Sequence, residues 1–100
     1  MHLEKFDLSG KTALITGGAG LLGIEHATAL LECGANVILT DIDHDLLMVA
    51  QKTLQEQDDT QNRLFIEEMD VTSPEAIEKS QEKILNLLGG INILVNNAAI

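Results

Sequence analysis

The chain has 100 residues, 45% of them hydrophobic, with two phenylalanines and neither tryptophan nor tyrosine, which allows one small core and excludes a disordered chain. Its formal charge of -10, from sixteen acidic and six basic residues, sets a field that repels nucleic acid and anionic membrane surfaces, so neither is expected as a partner. A single cysteine, Cys33, excludes an intrachain disulfide and reads as a small buried thiol near a helix end; residues 1–11 lack the apolar stretch of a signal peptide and no run reaches membrane-spanning length, so a cytoplasmic protein is the default expectation.

Residues 11–16 (KTALIT) are apolar and β-branched and read as a strand that runs into the glycine-rich stretch ITGGAGLLG at 15–23. Residues 22–33 follow with Gly23, Ala27, Leu30 and Leu31 on one helical face, and Gly34 stops that helix. A second strand is expected over 36–40 (NVILT). From Asp45 to about Gln57, Leu47, Ala50 and Leu54 form one stripe, with Asp43 or Asp45 as N-cap. Residues 64–68 (LFIEE) read as a third strand. A third helix opens at VTSPEA, with Ser73 as cap and Pro74 in the first helical position, where its missing N–H costs nothing. Ile77, Ile84 and Leu88 form its expected buried face and Gly89-Gly90 its end. Residues 91–96 (INILVN) read as a fourth strand. The first, second and fourth runs are apolar enough to be covered on both faces.

The order βαβαβαβ predicts an α/β fold: the first half of a doubly wound, Rossmann-like parallel sheet, strand order 3-2-1-4, in three layers α/β/α and one domain over 1–100. In that fold Gly17 permits the tight turn out of the strand. Gly20 lacks a side chain where a pyrophosphate would approach, and Gly23 packs the helix close to the sheet. The amides and positive end of the helix then face the diphosphate, so local dipoles can hold an anion within an acidic protein. Asp41 ends the second strand 18 residues after Gly23, where a carboxylate can accept from both adenosine ribose hydroxyls and repel a 2′-phosphate. No Lys or Arg lies in the glycine turn or between Asp41 and Gln51, so NAD is expected in preference to NADP.

With TGGAGLLG at 16–23, TDID at 40–43, MDVTSPE at 69–75 and ILVNNAA at 93–99, the chain resembles the short-chain dehydrogenase/reductase family over nearly its whole length. The resemblance implies a cofactor turn of Gly17, Gly18, Ala19 and Gly20, with Leu22 toward the nicotinamide. It places Asp41 and Ile42 at the adenine ribose and adenine, Asp70 at the adenine amino group and Val71 against the ring. Asn97, Ala98 and Ala99 would pass beneath the cofactor ribose, and Asn96 would tie the central strands together. Two departures leave the subfamily open: Leu21 stands where the commonest pattern has glycine, which is similar to the extended epimerase and dehydratase branch, and Ala99 replaces the usual glycine of Asn-Asn-Ala-Gly.

The parent reaction implied is hydride transfer between NAD and an alcohol or ketone, a sugar being one candidate substrate, by a homo-oligomer acting on a small molecule. The family's catalytic serine, tyrosine and lysine follow the fourth strand. With no tyrosine in the chain, no catalytic residue is assigned, and the 100 residues read as an inactive N-terminal cofactor-binding part of a longer enzyme. The alternatives are a non-catalytic NAD-binding module and an extended-type nucleotide-sugar epimerase or dehydratase. His26 reads as a half-buried structural histidine, His2 and His44 as surface residues, and no spacing suggests a metal site.

Overall fold

The computed structural model describes residues 7–57, 63–70 and 72–97. Its elements run β1 (Thr12–Thr16), α1 (Leu21–Glu32), β2 (Asn36–Asp41), α2 (His44–Gln57), β3 (Leu64–Glu68), α3 (Pro74–Leu88) and β4 (Ile93–Asn96). The four strands are parallel, as the alternation of elements implies, and lie in the expected order β3-β2-β1-β4. All five residues of β1 are buried, because this strand has a neighbour on each edge and apolar cover on each face. Register places Leu14 between Ile38 and Leu94, and Ile15 between Leu39 and Val95. Alternate side chains therefore feed two cores. Ile15, Val37 and Leu39 join Ala27 and Leu31 of α1 and Leu47, Ala50 and Leu54 of α2 on one face. Leu14 and Ile38 join Ile84 of α3 on the other. The result is three layers, α/β/α.

The helix ends follow from their chemistry. Asp43 caps α2, its Oδ1 accepting from the Leu46 amide at 3.1 Å, while Asp45 sits in the first turn, where a negative charge suits the helix dipole. Ser73 Oγ accepts from the Ala76 amide at 3.3 Å, with Pro74 directly after the cap. Gly89 closes α3 in the left-handed region at φ 81°, its amide donating to Leu85 O. At the end of α1 the Arg63 guanidinium donates to Leu31 O at 3.0 Å and to Ala35 O at 2.9 Å, joining the Gly34 amide, which donates to Leu31 O at 3.0 Å.

Four expectations are corrected. β4 begins at Ile93 rather than at 91, because the Asn92 side chain stands in for the strand: its Oδ1 accepts from the Thr12 amide at 2.9 Å while its own amide donates to Thr12 O. β4 is also uncovered on one face, with Leu94 64% exposed. In α3 the fully buried positions are Ser80 and Ile84, with Ile77 and Leu88 only half-buried, since among the described residues no other helix shares its face of the sheet. Cys33 is half-buried rather than buried.

Candidate functional site

β1 pairs with β2 on one side and β4 on the other, so the chain reverses direction across the sheet at the carboxyl end of β1. In open α/β sheets that switch point is where a crevice forms. The glycine stretch lies there. Gly17 has φ 64°, a conformation that L side chains rarely adopt. Gly18 faces inward: its amide donates to Thr40 O at 2.8 Å, and a Cβ would lie 2.9 Å from Leu39 Cδ2 and 3.1 Å from Ile15 O. Gly23 backs onto it so closely that a Cβ would meet the Gly18 backbone at 2.6–2.8 Å. Helix α1 can therefore approach the turn only because Gly23 lacks a side chain, while Gly18 lets the turn lie against β1 and β2.

Gly20 is different. A Cβ there would meet only Gly17 O, at 3.7 Å, so the protein's own packing does not demand glycine at this position. Gly20 is also the N-cap of α1, without a side-chain cap and without an acidic residue in the first turn. The first intrahelical bond runs from the Ile24 amide to Gly20 O, which leaves the amides of Leu21, Leu22 and Gly23 at the positive end of the helix. An open cradle beside uncompensated amides fits a diphosphate. Leu21, Leu22 and Ile42 are exposed around it.

Asp41, at the end of β2, touches this turn directly. Its Oδ2 accepts from the Ala19 amide at 3.3 Å and its Oδ1 from the Asp43 amide at 3.2 Å. Each oxygen keeps a further lone pair, so the carboxylate is fixed in place while still able to accept from two hydroxyls. The Ala19 contact was not legible in the sequence, because a main-chain donor 22 positions away carries no residue-type signal.

The Asp41 carbonyl accepts from the Met69 amide at 2.9 Å, which brings Asp70 alongside. Asp70 Oδ1 accepts from the Thr72 hydroxyl at 2.6 Å and the Thr72 amide at 2.9 Å. These bonds, the hydroxyl first, hold its carboxyl below the ordinary value of 3.8. On the other side of β1, the Thr16 hydroxyl donates to Asn96 Oδ1 at 2.8 Å, and the Asn97 amide to Thr16 O at 3.1 Å. Asn96 thus ties β4 to β1 as expected. The Asn97 side chain lies 3.2 Å from Nδ1 of the half-buried His26 on α1, a contact that no sequence feature announced. The structure therefore gathers Gly17, Gly18, Ala19, Gly20, Leu22, Gly23, Asp41, Ile42, Asp70 and Asn97 around the carboxyl end of the sheet; Val71, Ala98 and Ala99 lie outside the described residues. Among the described residues, no cluster of His, Cys, Asp and Glu could hold a metal ion, and no helix is long and apolar enough to cross a membrane.

A family model described as short chain dehydrogenase matches residues 11–100. The chain belongs to the short chain dehydrogenase family. A short-chain dehydrogenase/reductase from Macrophomina phaseolina, dpmpG, is 39% identical over 97 residues, covering 97% of this chain and 54% of that protein. The NAD(+) 15-hydroxyprostaglandin dehydrogenase of Bos taurus is 38% identical over 93 residues, covering 93% of this chain and 35% of its own. Among solved structures, the N-domain of a bacterial malonyl-CoA reductase with NADP superposes with a TM-score of 0.85 at 32% identity, covering 94% of this chain and 17% of that one. This short-chain dehydrogenase chain thus spans about half or a third of the curated relatives it matches, and it has the Rossmann-like sheet on which such enzymes carry NAD(P).

Proposed function

We propose that the chain is the NAD-binding part of a short-chain dehydrogenase whose whole protein transfers hydride between NAD and an alcohol or ketone. The observation that carries this reading is the Asp41 carboxylate, fixed by the Ala19 and Asp43 amides beside the open position over Gly20. Gly17, Gly18, Ala19 and Gly20 form the turn against which a diphosphate rests, with the first amides of α1 as donors. Asp41 accepts from the adenosine ribose hydroxyls, Ile42 and Val71 flank the adenine, and Asp70 accepts from its amino group. Leu22, Asn97, Ala98 and Ala99 line the nicotinamide half, with Gly23 keeping α1 close enough to form the cleft.

A bound nicotinamide ring supplies the hydride acceptor or donor; this chain's residues bind and orient it. With no tyrosine present, the 100 residues are expected to bind cofactor without turning over an alcohol. A small-molecule substrate, a cytoplasmic setting and a homo-oligomeric whole protein go with this reading, and nucleic acid and membranes do not.

NAD is favoured over NADP because a 2′-phosphate would meet the Asp41 charge with no basic residue near it in sequence. Calorimetric titration of the chain and of Asp41→Ala with NAD and NADP tests this. The expected outcome is tighter binding of NAD by the wild type. In the variant, NAD affinity falls roughly tenfold, as for loss of a charged hydrogen-bond partner, and the preference over NADP narrows. An unchanged NAD/NADP ratio in Asp41→Ala would remove the ribose assignment.

A further inference from the structure

Helix α1 and strand β4 are the two walls of the half-cleft on the β4 side of the glycine turn, and they are poorly packed against each other. A hollow of about 260 Å³ lies between them, lined by His26, Ala29, Leu30 and Val95. Its lining is almost wholly apolar, with Leu30 of α1 and Val95 of β4 resting against the core beneath. At the end of the hollow nearest the glycine turn, one polar contact crosses the gap: Asn97 Nδ2 to His26 Nδ1 at 3.2 Å.

The other hydrogen bonds at this end of β4 run elsewhere. Thr16 takes the Asn96 side chain and the Asn97 backbone amide, which fixes the main chain to β1 but leaves the direction of the Asn97 side chain open. With the Asn97 amide nitrogen turned toward it, His26 Nδ1 is the acceptor in the tautomer that carries the ring proton on Nε2. The arrangement selects one tautomer and one rotamer together.

We propose that His26 is a positioning residue of the cofactor cleft: through Nδ1 it holds the Asn97 side chain and sets the spacing of α1 and β4 where the nicotinamide half of the ligand enters. The role rests on the NAD reading above. It differs from a packing role in that it needs an acceptor atom at the Nδ1 position, not merely volume.

The test uses the full chain and two variants. His26→Leu fills the volume without the acceptor, and His26→Asn restores an amide oxygen close to the Nδ1 position. Long-range proton–nitrogen spectra of the wild type should show Nδ1 unprotonated and Nε2 carrying the hydrogen. Calorimetry should show NAD binding about three- to tenfold weaker in His26→Leu, as for one hydrogen bond lost, with most of that affinity recovered in His26→Asn. An Nδ1–H tautomer overturns the proposal, as does equal NAD affinity in the wild type and His26→Leu, an outcome that leaves the cofactor reading standing. Should His26→Leu fail to fold, His26→Asn decides: wild-type affinity supports the positioning role, and a tenfold loss ends it. A wild type that binds no NAD while Nδ1 still accepts from Asn97 ends the cofactor reading and the positioning role together, leaving a tie between α1 and β4 alone.

Discussion

The two edges of β1 are built on different principles. Toward β2, cohesion is apolar: Val37, Ile38 and Leu39 are buried to within 2%, and α1, α2 and α3 cover the strand pair from both sides. Toward β4, cohesion is polar. Asn92 takes the Thr12 amide, Asn96 the Thr16 hydroxyl, and Asn97 reaches His26, while Leu94 stands open on one face and a hollow lies under the other. The difference teaches that register on the β4 side is set by directional bonds, where contact area is too small to set it. The β2 side, by contrast, is held by bulk burial, with the Asp41 carboxylate fixed at its carboxyl end by the Ala19 and Asp43 amides.

Substitutions on each edge should separate these principles. Leu39→Ala, which opens a cavity beneath Gly18, should show the largest loss, about 2–5 kcal/mol in urea denaturation; a smaller cost would mean that the turn collapses into the space. Asn92→Ala should come next, at about 1–3 kcal/mol, because it strands the part-buried Thr12 amide without an acceptor. Asp70→Ala should cost less and only in a defined pH range. Its folded pKa is depressed by Thr72, so its contribution is complete above the ordinary value of 3.8 and is lost as pH falls through the folded value. Denaturation midpoints of the wild type and variant should therefore converge on acidification, and a gap that persisted at low pH would assign the effect to loop geometry. Leu94→Ala should be the mildest, within about 0.5 kcal/mol. A large loss there would show that the open face of β4 is covered in solution.

Much of this was readable from residue order. The stripe Leu47, Ala50, Leu54 repeats at helical spacing and is the buried face of α2. The alternation of strands and helices pointed to a parallel sheet, for which the order 3-2-1-4 was the expected one, and the spacing of Gly17, Gly20 and Gly23 marked the turn. What was not readable depends on tertiary neighbours. Gly18 looked like one more residue of the ligand turn, yet its amide is taken by Thr40 and its missing Cβ accommodates Leu39 and Ile15. Ile77 fits the apolar stripe of α3, but a helix with no neighbour on its own layer among the described residues leaves that position half-buried and buries Ser80 instead. Whether Asp43 or Asp45 caps α2 was equally open, since both side chains can cap and only backbone geometry chooses. Asn92 begins its strand with a side chain, which no periodicity registers. The pairing of His26 with Asn97 joins residues 71 positions apart and carries no local signature.

Arg63 ties the start of β3 back to the joint between α1 and β2. Its guanidinium closes the carbonyls of Leu31 and Ala35, and its own carbonyl takes the Val37 amide at 2.7 Å. The first strand–helix–strand unit ends at Asp41 but draws its last bonds from a residue 22 positions further on. The joint between α1 and β2 is already bonded from within that unit, Gly34 donating to Leu31 O, Ala35 to Leu30 O and Asn36 to Lys11 O, so Arg63 adds a clamp from the start of β3 onto a joint that closes locally.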